Sequence, residues 1–187
     1  MKDIRLLRAN GRQARPWRNG GGTTCDIAVY PEGAGDDGFL WRASIATIAS
    51  AGPFSTFAGV DRLLLPIEGT LDLTIDGLGD RRLRPGDPAL AFAGETAVTA
   101  APRDRPVRVL NIMVRRGAMR AELDRCMQAV PGTANAILLL ATERTTVRQA
   151  AKAFDLELYD ALLIDDGQLG AIDIEPCAVA GSFFDIC

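Results

Sequence analysis

A chain of 187 residues, 48% apolar and 24% charged, is long enough to bury a core without disulfide or metal staples. Its formal charge of −3 and lack of any basic run exclude the phosphate-neutralising surface that nucleic-acid binding needs. No apolar run approaches the roughly 20 residues that span a bilayer. The opening MKDIRLLRANGRQ mixes charge with apolar residues, unlike the uninterrupted core of a signal peptide. A cytoplasmic protein with neither a nucleic-acid nor a membrane partner is expected.

The chain contains no histidine. That removes the commonest metal ligand and general base, and with them any Ser-His-Asp or Cys-His nucleophile. Catalysis would have to rest on carboxylates, Lys2, Lys152, tyrosine or a cofactor. Cys25, Cys126, Cys177 and Cys187 form no CxxC pair, so neither a zinc knuckle nor a redox dithiol is indicated. They read as small apolar residues, with the terminal Cys187 open to oxidation between chains. No metal and no cofactor are expected, and a homodimer stays open.

In chain order, Ile4–Arg8 forms a short strand before the Asn10-Gly11 turn. Gly20-Gly21-Gly22 then frees the backbone for a tight turn. The run lacks the GK[ST] ending and following helix of a phosphate loop. Cys25–Tyr30 reads as a strand with Cys25, Ile27 and Val29 on one face. Gly33–Gly38 matches GxGxxG by letter, but it places Asp36 and Asp37 where a pyrophosphate would sit, and a strand pattern follows. It is read as a polar surface loop.

Trp41–Ala49 and Arg62–Ile67 are strand-like runs joined by Ala51–Gly59, which carries Phe54 and Phe57. A solvated connection rarely holds two phenylalanines, so this one is expected to fold back and bury them. Arg42, Ser44 and Ala46 share a face. Arg42 and Arg62 are therefore candidates to line a pocket mouth, against the plainer reading that both solvate a sheet face. Thr70–Gly77 alternates, with Leu71, Leu73 and Ile75 inward and Asp72 and Asp76 outward. A tight turn at Arg82–Asp87, an apolar run Ala89–Ala93 and a strand Val107–Val114 follow; Asn111, among apolar neighbours, needs hydrogen-bond partners if buried. Ala118–Ala129 fits helical and strand spacing alike, and Thr145–Phe154 suits a short helix.

Sliding the chain by 73 residues lays Leu83, Asp87, Leu90 and Gly94 on Leu156, Asp160, Leu163 and Gly167. In the same frame Leu63–Ile67 falls on Ala136–Leu140, and Val107–Met113 on Ala180–Ile186. Two similar β units in one chain are the natural reading. Many short runs with 19 Gly and 10 Pro make the fold all-β, a sandwich or barrel class with few short helices.

Trp17–Thr24 (WRNGGGTT), Trp41–Ala46 (WRASIA), Gly52–Phe57 (GPFSTF) with Gly59–Arg62 (GVDR), and Asn111–Arg116 (NIMVRR) together resemble the HutD/Ves family of bicupin-like proteins. The resemblance covers most of the first 116 residues, and the last 70 match in pattern only. Asp26 stands where the family's Glu is expected, and Leu110 where an acidic residue is. The resemblance implies two cupin-like β-barrels: a first lobe over 30–116 and a second over 117–187, the latter open to completion by residues 1–29. It also implies a metal-free pocket and a link to histidine catabolism, through a small metabolite such as urocanate or formylglutamate.

On this basis the expected function is non-enzymatic binding of a small carboxylate metabolite. Arg42 and Arg62 would clamp the carboxylate, Ser44 and Asn111 would fix polar edges, Trp17 would stack, and Asn19 with Thr23 would close over the ligand. Two alternatives stand beside it. One is a metal-independent cupin enzyme, an isomerase or hydrolase, using Asp26, Asp61 or Glu95 as base. The other is an interaction module presenting Phe54 and Phe57 as an apolar patch.

Overall fold

The computed structural model describes residues 4–125, 134–149, 151–165, 172–176 and 178–186. Those residues are almost wholly β, with one 3₁₀ turn at Ala9–Gly11. None of their helices is long and apolar enough to cross a membrane. The chain divides into two compact units, Gln13–Arg116 and the pair of segments Met1–Arg12 and Gly117–Cys187. The N-terminal strands divide between the two units. Gly22–Tyr30 pairs with Trp41–Ile48 inside the first unit, and only Ile4–Leu7 joins the second, against Ala161–Asp165.

In the Gln13–Arg116 unit, a six-stranded sheet runs in the order Arg15–Pro16, Gly22–Tyr30, Trp41–Ile48, Val107–Arg115, Val60–Glu68, Leu90–Ala93. A four-stranded sheet, Gly52–Pro53, Val98–Pro102, Leu71–Ile75, Gly79–Leu83, packs against it. Strand alternation explains the core between them: Ile48, Leu64, Val107 and Val109 from one sheet meet Leu71, Leu73, Ile75, Val98 and Ala100 from the other, all buried. Asp72 points outward and pairs with Arg82 and Arg103.

The other unit repeats this plan. Its five-stranded sheet contains the order Met119–Asp124, Val179–Asp185, Ala136–Leu140, Ala161–Asp165, matching Trp41–Ile48, Val107–Arg115, Val60–Glu68, Leu90–Ala93. Its three-stranded sheet, Ile172–Glu175, Thr145–Gln149, Lys152–Leu156, matches Val98–Pro102, Leu71–Ile75, Gly79–Leu83. The equivalence extends to a turn. The Asp87 carboxylate accepts from Arg84 N at 2.7 Å, and that of Asp160 from Glu157 N at 3.1 Å. Each of these aspartates also donates its own N–H back, to Arg84 O and Glu157 O respectively. Gly167, which completes the echo in sequence, lies outside the described residues, as do Cys126, Cys177 and Cys187.

Three sequence expectations change. Thr145–Phe154 is not a helix but the strand Thr145–Gln149 and the first half of Lys152–Leu156. There Thr145 and Val147 are buried in alternation, a period of two that the β-branched residues favour. The ambiguous Ala118–Ala129 resolves as a strand over Met119–Asp124, and 126–129 lie outside the described residues. Cys25, Ile27 and Val29 do not share a face, because the register with Trp41–Ile48 shifts between Asp26 and Ala28. This bulge turns Val29 toward Met113 and Phe39 and leaves Cys25 half-buried.

Asp160 ties the N-terminal segment to its unit. Its buried carboxylate accepts from Ala9 N at 2.7 Å, Arg8 Nη1 at 2.6 Å and Glu157 N. Burial by itself would raise its pKa, but these donors together outweigh burial and hold it below the usual carboxylate value. Asp160→Ala, by orphaning three donors, is expected to destabilise the protein by about 1–3 kcal/mol. At roughly 2–4 °C per kcal/mol, the loss is readable as a lower melting temperature by calorimetry.

Candidate functional site

The inner face of the six-stranded sheet does not stay apolar along its whole length. Moving up the strands from the core, Ala46 opposes Val109, Ser44 opposes Asn111, and Arg42 opposes Met113, which in turn opposes Arg62. Two rungs of the sheet thus carry Ser44-Asn111-Leu64 and Arg42-Met113-Arg62. Directly paired residues point to the same side, so this polar group faces one space. That space is a cavity of about 360 Å³, lined by Arg42, Ser44, Arg62, Asn111 and the rings of Trp17, Phe54 and Phe57. A wider depression outside it shares Trp17, Arg18, Asp36, Phe54 and Phe57 and forms its mouth.

The two arginines differ in their partners. Arg42, 9% exposed, donates through Nε to Asp26 at 2.8 Å and through Nη1 to Asp36 at 2.7 Å. Asp26 also takes a short hydrogen bond from Arg15. Arg62, 7% exposed, has no carboxylate partner among the described residues. Its Nε and Nη2 donate to Asn111 Oδ1 at 3.3 and 3.1 Å, and its Nη1 to Ser55 O at 3.2 Å. The rings of Phe54, Phe57 and Phe92 surround its guanidinium, with centroids 5.3, 5.7 and 5.0 Å away. Burial lowers its pKa to about 10, so it stays charged at neutral pH.

A guanidinium has five N–H donors, so one on Nη1 and one on Nη2 remain unspent. Asn111 accepts Arg62 at Oδ1, which turns its amide NH₂ the other way. Neither that NH₂ nor the Ser44 hydroxyl makes a hydrogen bond to another described residue. The floor of the cavity is therefore rich in donors beside a buried cation that has no carboxylate partner, and it suits an acceptor-rich, negatively charged group.

The remaining expected residues sit as follows. Trp17 lines the cavity; its Nε1 donates to Thr24 Oγ1 at 2.8 Å, and its ring meets Phe54 edge-on at 6.0 Å. Thr24, which sequence reasoning passed over, lines the cavity, and Thr23 does not. Alternation decides this, since Thr24 pairs with the inward Ala46 and Thr23 with Thr47. Asn19 lies at the mouth; its Oδ1 accepts from Gly21 N and its Nδ2 donates to Pro53 O, clipping the glycine turn to the phenylalanine segment. Gly20 has φ +70°, and a Cβ on Gly22 would lie 2.3 Å from Thr47 O, so two of the three glycines are required on separate grounds. Asp36, assigned from the sequence to a surface loop, reaches Arg42.

The carboxylates considered as bases are engaged elsewhere. Asp61 and Glu95 lie outside the cavity lining and grip Arg116, at 2.8 and 2.9 Å. Glu95 also accepts from Gly59 N at 2.6 Å, which pins the end of the segment carrying Phe54 and Phe57. Both rings are half-buried against the core and Arg62, a cover for the cavity and not a presented patch. No group of three or more His, Cys, Asp or Glu side chains among the described residues could hold a metal ion.

Two facing sheets that enclose a cavity in the Gln13–Arg116 unit define a cupin-like all-β protein. The fold agrees with that of a cupin 2 conserved barrel domain protein from Leptotrichia buccalis, at TM-score 0.53 and 9% identity over 97% of this chain and 96% of that one. The HutD family model matches residues 9–179, and the chain belongs to the HutD family. It is 36% identical over 170 residues to a 21.2 kDa protein from the hutC 3′ region of Pseudomonas putida, covering 88% of each chain. It is 38% identical over 124 residues to the protein Ves of Citrobacter koseri, covering 65% of this chain and 60% of that one. The structure of HutD from Pseudomonas fluorescens SBW25 superposes with a TM-score of 0.85 at 30% identity, covering 99% of this chain and 100% of that one.

The Glu95 clamp makes a pH-dependent contribution. Hydrogen bonds from Arg116 and Gly59 N depress its pKa from the ordinary 4.5 to about 2. A depressed carboxylate stabilises the fold above its unfolded pKa and loses that effect as pH falls through the folded one. Glu95→Gln is expected to melt below wild type at pH 7, and the gap should close between about pH 4.5 and pH 2 in a series of melting curves.

Proposed function

We propose that this protein binds a small anionic metabolite in the cavity of its Gln13–Arg116 unit, in a role linked to histidine utilisation. We also read each of its two units as a cupin-like barrel, an arrangement supported by their shared strand order. The observation that carries the binding reading is Arg62. A buried cation without a counter-charge costs several kcal/mol, and the neutral acceptors and rings around it only partly offset that. A ligand carboxylate would supply the missing charge through the two unspent N–H donors, while Ser44 and the Asn111 amide would meet its remaining lone pairs. Membership of the HutD family supports the metabolic setting, and urocanate and formylglutamate are the first ligands to try.

The catalytic alternative gains nothing from the geometry. Asp26 is occupied by Arg15 and Arg42, and Asp61 and Glu95 sit away from the cavity. We read Arg42, expected from the sequence to clamp the ligand beside Arg62, as a wall element, because Asp26 and Asp36 already pair with it. Trp17 and Asn19 shape the mouth.

A thermal-shift titration tests the reading. At 100 times Kd a ligand adds about 2.7 kcal/mol, or several degrees for a chain of this size at roughly 2–4 °C per kcal/mol. Arg62→Met should abolish the shift. The variant without ligand should melt within about 5 °C of wild type, because relief of a desolvated charge offsets the lost bonds to Asn111 and Ser55. Binding undiminished in a folded Arg62→Met protein would overturn the assignment.

A further inference from the structure

We propose that Asp36 selects ligands that carry an N–H donor at the end opposite their carboxylate, so that the cavity prefers a bifunctional acid to a plain one. This rests on the anion-binding reading above and narrows it. Asp36 is the one carboxylate among the described residues that line the inner cavity. Its neighbour Asp37 lines only the outer depression. The Asp36 Oδ1 accepts from Arg42 Nη1 at 2.7 Å, and Oδ2 makes no hydrogen bond to another described residue. Arg42 is itself buried and donates through Nε to Asp26 at 2.8 Å. The sheet thus holds the Asp36 carboxylate at the cavity wall, although the loop that carries it is exposed.

The two sides of the cavity therefore differ in kind. Arg62, Ser44 and the Asn111 amide offer unspent donors, whereas Asp36 offers an unspent anionic acceptor. Arg42 and Arg62 flank Met113 across two strand spacings, roughly 10 Å. A ligand whose carboxylate is held at Arg62 turns its far end toward Asp36. A ring or amide N–H there gains a charge-assisted hydrogen bond, whereas an acceptor meets a carboxylate of like polarity. The neutral acceptors nearby are already used, Asn111 Oδ1 and Ser55 O by Arg62 and Thr24 Oγ1 by Trp17. Arg18, exposed and without a partner among the described residues, also lines the cavity, so a second carboxylate finds a cation at the opening. Urocanate, with its ring N–H, and formylglutamate, with its amide N–H, both meet the requirement.

Urocanate and its furan analogue test the inference, because the analogue keeps the planar ring and the acrylate but has oxygen in place of the ring N–H. Their dissociation constants are measured by calorimetric titration against wild type, Asp36→Ala and Arg62→Met. Wild type should bind urocanate at least about tenfold more tightly than the analogue, the worth of a hydrogen bond to a charged group. In Asp36→Ala that ratio should fall by about tenfold, through loss of urocanate affinity, with the analogue held within about twofold. The mutant comparison isolates the part of the preference that depends on this carboxylate. Arg62→Met should lose both acids. Equal binding of the two by wild type, or an unchanged ratio in Asp36→Ala, would defeat donor recognition by Asp36 while leaving anion binding standing. Equal weakening of both in Asp36→Ala would defeat it too, since Asp36 would then act only by holding Arg42. Failure of both acids to bind wild type would instead remove the anion-binding reading, and this inference with it.

Discussion

The burial of the Arg62 guanidinium without a carboxylate is the constraint from which the rest of the site follows. Such a charge survives only where neutral acceptors and aromatic faces are placed around it, each contributing about 1–3 kcal/mol in a dry environment. That demand accounts for the position of Asn111 one rung away on the central strand, for the Ser55 carbonyl turned inward, and for three phenylalanines drawn from two separate segments. It also explains the stitching of the covering segment at both ends, by Asn19 to Pro53 and by Glu95 to Gly59. Were that segment to lift, water would reach Arg62 and the arrangement around it would lose its purpose.

Much of this was legible in the amino-acid order. Alternation placed Arg42, Ser44 and Ala46 on one face and marked Asn111 as a polar residue in need of partners. The two phenylalanines in a turn-rich connection pointed to a cover. What period-two reasoning missed has specific physical causes. A bulge near Asp26 broke the alternation beyond it, and Thr24 took the inward place expected of Thr23 because pairing with Trp41–Ile48 sets the phase. Pairing between distant strands also decided which carboxylate meets which arginine. Asp36, six residues before Arg42, lay inside a loop whose exposed character concealed a carboxylate that pairs with that arginine. The helix expected over Thr145–Phe154 was lost to a hairpin, since local spacing carries no information about the neighbour that completes a sheet.

The frame of 73 residues was visible as scattered leucines, an aspartate and a glycine, and it corresponds to a shared strand order and a shared aspartate turn. The two units have nevertheless diverged in their interiors. Phe184 stands 73 positions after Asn111 and packs into a cluster with Ile137, Leu139, Val147 and Leu162, where the other unit opens its cavity. Among the described residues, that second interior is filled with hydrocarbon. The same scaffold thus surrounds a cavity in one unit and a packed apolar cluster in the other.

The phenyl rings around Arg62 have an effect beyond holding it. A carboxylate partner would have cancelled the field of the guanidinium, whereas ring faces leave its net charge intact. Low-polarisability walls then channel that potential along the cavity axis toward the opening. In the proposed binding role, anions diffusing past the mouth would be drawn in over several ångströms, and rising ionic strength would shorten that reach. On that reading, the choice of phenylalanine over aspartate around Arg62 would bear on capture speed as well as on the tightness of holding.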